Sequence, residues 1–138
     1  MNPANVFSVV GAIAALQWFL LIFLPHWKIT QLLVRYRVIP MVLSAIYCIY
    51  IIGFFSVQGA GFGSIAEVRT LFNNDQLLLA GWVHYLAFDL LIGFYILQSA
   101  QSKAISHILV IPCLILTFMF GPCGYLLYQV IRKIKTSI

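Results

Sequence analysis

The sequence predicts an all-α, polytopic membrane protein: a bundle of four transmembrane helices with a short interfacial helix between the second and third. Three observations predict it. Of 138 residues, 63% are hydrophobic and 8% are charged, whereas a soluble domain carries about 25% charged residues. Mean hydropathy is +1.03. The apolar residues form continuous runs, not the alternating pattern of a barrel strand. Each run is long enough to cross a hydrocarbon core of about 30 Å, which takes about 20 helical residues. Residues 1–138 read as a single integral membrane domain.

The first span is expected over residues 4–24, where Pro25 ends it. The second covers residues 39–57, with Pro40 in the first turn, where a missing N–H does no harm. The third covers residues 77–97 and the fourth residues 105–131. The fourth is too long to stand straight and must tilt or break. Gly121-Pro122-Cys123-Gly124 encodes a break, since Pro122 has no N–H for the carbonyl of Phe118 and its ring clashes there. That break reads either as a packing kink or as a kink that shapes a pocket.

The loop after the second span opens Gln58-Gly59-Ala60-Gly61-Phe62-Gly63. It is no phosphate loop, because no strand precedes it and no Lys follows in place. Ser64-Ile65-Ala66-Glu67 then reads as a capping box. Ile65, Val68, Leu71 and Phe72 follow at helical spacing, the pattern of a short helix lying in the interface. Asp75 is placed to cap the third span.

Net charge is +5. All the basic residues (Lys28, Arg35, Arg37, Arg69, Lys103, Arg132, Lys133 and Lys135) lie between or after the apolar runs, where they anchor helix ends at headgroups. No basic patch is interleaved with aromatics, so nucleic acid is not an expected partner. With four crossings both termini share a side. Lys28, Arg35, Arg37 and Lys103 then oppose Arg69, Arg132, Lys133 and Lys135, a tie that leaves orientation open. Cys48, Cys113 and Cys123 fall within apolar runs without CxxC spacing and read as inert thiols. No basic n-region precedes the first run, and no Arg- and Ser-rich transit segment is present. An integral protein of the bacterial inner membrane fits, or of a plastid membrane if the source is eukaryotic.

The chemistry-bearing residues cluster in the third span, Gly81-Trp82-Val83-His84-Tyr85-Leu86-Ala87-Phe88-Asp89-Leu90. An aspartate at the centre of a span costs about 2.5–3.5 kcal/mol on insertion scales, so it marks a functional position. Residues three, four and seven apart share a helix face, which aligns Trp82, Tyr85 and Asp89. His84 lies about 140° away at about 100° per residue, so it meets Asp89 only across a cavity completed by a neighbouring helix. A protonated carboxyl can donate a proton and a neutral imidazole can accept one, making Asp89 a candidate acid and His84 a candidate base. Two plainer roles stay open: an interhelical hydrogen bond from Asp89 to Tyr85 or Gln17, and ligand binding. Gly81 and Gly93 bracket the stretch, and Gly11 with Ala15 offers a similar small-residue surface in the first span. His26, His84 and His107 form no HxxxH pair, and no metal site is expected.

Taken with Gly121-Pro122-Cys123-Gly124-Tyr125-Leu126-Leu127-Tyr128, the run from Gly81 to Leu90 resembles the neoxanthin-synthase-like family of the abscisic-acid-deficient-protein-four type. Its pattern W-x-H-x-L/F-x-x-D-L is met by Trp82, His84, Leu86, Asp89 and Leu90, and its Pro-x-Gly by Pro122 and Gly124. Many members carry an Arg a few residues after the aspartate; Phe94 and Tyr95 occupy that stretch here. The resemblance implies xanthophyll chemistry, in plants the conversion of violaxanthin to neoxanthin. That opens an epoxide and forms an allene without net redox change, so no cofactor is expected.

Three hypotheses follow. The first is an isomerase acting on a carotenoid or other isoprenoid, with Asp89 as acid, His84 as base or orienting group, Trp82 and Tyr85 packed on the ligand, and Pro122 and Gly124 opening the pocket. The second is a non-catalytic carotenoid- or lipid-binding module or assembly factor. The third is a proton or solute carrier, which in so short a chain would require a homo-oligomer.

Overall fold

The computed structural model describes residues 2–136. Among the described residues there are seven helices and no strand: α1 (Pro3–Phe23), α2 (Lys28–Tyr36), α3 (Val38–Phe54), α4 (Ile65–Phe72), α5 (Asp75–Ser102), α6 (His107–Phe120) and α7 (Pro122–Thr136). The all-α expectation holds. α1 and α5 are each long and apolar enough to cross a membrane; α2 and α3, bent by 43° at Arg37, supply a third crossing if taken as one unit. A fourth full crossing is not found among the described residues, and the reason lies in α6 and α7.

α1 begins under an Asn2 cap, whose Oδ1 accepts from the Ala4 N–H at 3.1 Å, with Pro3 in the first turn where its missing N–H is harmless. It runs parallel to α5. Phe7 meets Trp82 near the start of both helices, and Trp18 and Leu21 lie over Gly93 further along. A Cβ on Gly93 would stand 2.7 Å from the Trp18 ring, so this glycine permits the close approach of α1. Gly11 has nothing within 4 Å, so the small-residue surface expected there is not a helix contact.

α2 is a helix the sequence reading did not separate. It lies at the far end of the bundle, where α1 and α5 finish, and Arg37 in the left-handed region (φ 51°) ends it and starts α3. α3 returns antiparallel to α5, bringing Tyr47 to His84, and stops at Phe54, short of the expected residue 57. At the near end, Ser64 caps α4 by accepting from the Glu67 N–H at 3.2 Å. Glu67 in turn accepts from Gly63 N–H at 2.9 Å, one residue earlier than a capping box requires. Leu71 is buried and Phe72 packs at Gly81, fastening α4 to α5. Asn74, not Asp75, caps α5, accepting from the N–H groups of Gln76 and Leu77 at 3.0 and 3.2 Å.

α5 is the central element, with buried residues on most of its circumference from Leu77 to Ala100. α6 sets out antiparallel to it, joined by the Ile105 N–H donating to the Ala100 carbonyl at 2.9 Å. α6 ends at Gly121, whose φ of 31° is open to glycine and strained for other residues. α7 then reverses direction. Gly124 packs onto Thr117 and the Cys113 carbonyl of α6. Further back, the Tyr128 hydroxyl donates to Ser99 Oγ at 2.7 Å, and Arg132 donates to the Tyr95 hydroxyl at 2.9 Å. The stretch expected to make one broken crossing over residues 105–131 is therefore a helical hairpin. Its arms of 14 and 15 residues are each about 21–23 Å long at about 1.5 Å per residue, too short to span about 30 Å. Pro122 opens α7, where its missing N–H costs nothing, so it starts a helix instead of kinking one.

Candidate functional site

The hairpin turn sits against the middle of α5. Asp89 is 14 residues into a 28-residue helix, about 21 Å from its start at about 1.5 Å per residue. Its carboxyl lies over Gly121: a Cβ there would stand 2.6 Å from Oδ1. Asp89 is 8% exposed, and its Oδ2 is buried without a hydrogen-bond partner among the described residues. Buried polar atoms are nearly always paired, so an open one points to a water, ligand or reacting group. Two further open polar groups lie within about a turn of the same depth on α1: both amide atoms of Gln17 and Nε1 of Trp18, each side chain 2% exposed. Gln17 is therefore not the hydrogen-bonding partner considered for Asp89.

Tyr85, one turn before Asp89, ties α5 to the hairpin by donating to the Met119 carbonyl at 3.1 Å, and its hydroxyl lies within interaction reach of the Asp89 carboxyl. Trp82 stacks on Tyr85 with centroids 5.8 Å apart and meets the tilted ring of Phe7 at 5.3 Å. Trp82, Tyr85 and Asp89 thus form one stripe, as helical spacing requires. Above them, Asn2, Phe7, Asp75, Leu78, Leu79 and Trp82 line an open groove of about 450 Å³ between the first turns of α1 and α5, which Tyr85 and Asp89 do not line. The hairpin stops at mid-depth and, among the described residues, leaves this groove open. Trp82 stays 40% exposed, and Met119 and Phe120 project from the hairpin end.

His84 is elsewhere. It faces α3, with its ring 5.3 Å from Tyr47 and 4.7 Å from Phe88, in a recess of about 250 Å³ lined also by Ser44 and Ala87. Asp89 does not line that recess. His84 thus faces α3, whereas Asp89 faces the turn of the α6–α7 hairpin. Pro122 is exposed beside the turn, while Gly124 is buried against α6 and has no room to line a pocket. No group of three or more His, Cys, Asp or Glu side chains able to hold a metal occurs among the described residues.

Sequence reasoning missed Gly121 and the Met119 carbonyl as parts of the site. The signal for Gly121 was its place before Pro122. A glycine followed by a proline suits a chain reversal as well as a kink, and 14 apolar residues before it are too few to cross.

No curated protein and no solved structure matches the chain. A family profile does, and it covers α1 through the first half of α7, including the α5 stripe and the hairpin turn. The match runs over residues 5–128, and the chain belongs to the ABA deficient 4-like family of membrane proteins.

Proposed function

We propose that the protein binds a carotenoid or related apolar polyene from the bilayer and isomerises it by proton transfer at Asp89. The observation that carries this reading is the buried, partly unpartnered Asp89 carboxyl, two turns further along the α5 face whose Trp82 lines a groove with Phe7. Such a groove, in the roughly 300–1,000 Å³ range of small-molecule sites, suits an apolar chain laid along Phe7 and Trp82 and continuing over Tyr85, which stacks on Trp82, toward Asp89. The protonated carboxyl gives its proton to an epoxide oxygen as the C–O bond breaks. The resulting carboxylate then takes a proton from carbon as the new double bond forms. The substrate changes neither composition nor oxidation state, and Asp89 returns to its starting form. Tyr85 orients the carboxyl. His84, on the α3 side, serves best as a separate contact and not as the base.

The topology belongs to the same proposal: three crossings, by α1, the α2–α3 unit and α5, with α6–α7 as a re-entrant hairpin. This supports an orientation that four crossings leave open. Lys28, Arg35, Arg37, Lys103, Arg132, Lys133 and Lys135 gather at the far end, whereas the near end holds Arg69 with Glu67 and Asp75. The positive-inside rule then places the far end, and the last turn of α7, on the cytoplasmic or stromal side.

The test is extraction of pigment and lipid from the purified protein, with mass spectrometry and turnover of the recovered polyene. A polyene that Asp89→Asn retains but does not convert supports the catalytic reading. A bound polyene that the wild type leaves unchanged supports a binding module instead.

A further inference from the structure

The gathering of cations at the far end is structured. α2 sits where α1 and α5 finish, and between it and α5 opens a polar pocket of about 590 Å³ lined by His26, Lys28, Gln31, Arg35, Tyr36 and Gln98. Lys28 and Arg35 are seven residues apart, so they share one face of α2 and converge on the same opening. No acidic side chain among the described residues neutralises them, because Glu67, Asp75 and Asp89 lie at the near end or at mid-depth. The Gln31 amide donates to the Pro25 carbonyl, which holds the turn that forms one wall. Trp27, at the start of α2, and Tyr36, at its end, are about half exposed, as aromatic side chains are at the level of lipid headgroups.

Two cations, amide donors and apolar Leu32 lie together where the long apolar helices α1 and α5 finish. We infer that this pocket binds the phosphate of an anionic amphiphile, with Lys28 and Arg35 on the phosphate oxygens and the acyl chains running down the bundle surface. Phosphate chemistry fits because Arg and Lys donors satisfy several oxygens at once, and their charge is met only by an anion. A phospholipid headgroup and free inorganic phosphate share that chemistry, and the apolar side of the pocket favours the tailed form.

Native mass spectrometry of the full chain in detergent tests this, with phosphatidylglycerol and phosphatidylcholine titrated in parallel. The inference expects phosphatidylglycerol to bind at least tenfold more tightly than phosphatidylcholine. It expects Lys28→Gln/Arg35→Gln to abolish that preference and Lys133→Gln/Lys135→Gln to keep it. Ten millimolar inorganic phosphate should not displace the lipid; displacement would make this a site for free phosphate and overturn the lipid assignment. Equal binding of both lipids, or equal loss of preference in the two double variants, would overturn the pocket itself. Circular dichroism of each variant separates loss of binding from loss of fold.

Discussion

Replacing Gly124 by alanine puts one methyl group where two helices touch. A Cβ at this position overlaps Thr117 Oγ1, the Thr117 amide nitrogen and the Cys113 carbonyl oxygen. Two of those atoms are backbone and cannot rotate aside, so the arms of the hairpin must separate. Overpacking of this kind costs about 1–3 kcal/mol. The Thr117 hydroxyl, which donates to the Cys113 carbonyl at 2.7 Å, is also disturbed, adding about 0.5–1.5 kcal/mol. Together they predict a melting temperature lower by roughly 5–15 °C. Gly11→Ala is the control, because nothing lies within 4 Å of Gly11. It should melt no lower than wild type, since alanine favours a helix over glycine by up to about 1 kcal/mol. The assay is fluorescence-monitored thermal unfolding of the detergent-purified proteins. Were residues 105–131 one continuous helix, positions 117 and 124 would stand about 10 Å apart along it, and alanine would be harmless. A Gly124→Ala protein as stable as Gly11→Ala would therefore refute the hairpin.

Three other predictions concern the same architecture. Gly121→Ala combines a φ of 31° with a Cβ 2.6 Å from Asp89 Oδ1, so it should lose more activity than stability if alanine is accommodated by displacing the carboxyl; melting and turnover measured together decide. Tyr128→Phe removes the 2.7 Å bond to Ser99 and should cost about 1 kcal/mol, visible as faster amide exchange in α7. With Cys48, Cys113 and Cys123 replaced by serine, Lys103→Cys and Lys133→Cys should react with an impermeant maleimide from one side of the membrane, and Asn2→Cys from the other. Four full crossings would put positions 2 and 133 on the same side.

Much of this architecture is legible in the sequence because continuous apolar runs and capping residues report on the chain locally. The limits of α1, the Ser64 cap and the Trp82–Tyr85–Asp89 stripe follow from spacing alone. What escaped depends on contacts far apart in sequence. Nothing local distinguishes a kink at Pro122 from a reversal; packing of Gly124 on Thr117 and of Tyr128 on Ser99 decides it. Likewise His84 and Asp89 are close in sequence but separated by the helix itself, and only the positions of α3 and the hairpin show that they face different neighbours. The split of charge between the two ends was hidden for the same reason. It emerges once α7 returns Arg132, Lys133 and Lys135 to the end that holds Lys103.

The central claim is that Asp89 is the reacting group for a membrane-borne polyene. Its most direct test is turnover of the co-purified polyene by wild type, Asp89→Asn and His84→Ala in the same lipid, with bound polyene measured for each. Loss of at least a hundredfold in turnover for Asp89→Asn, with polyene still bound, and a loss of less than tenfold for His84→Ala is the predicted result. Full turnover by a folded Asp89→Asn protein would contradict it.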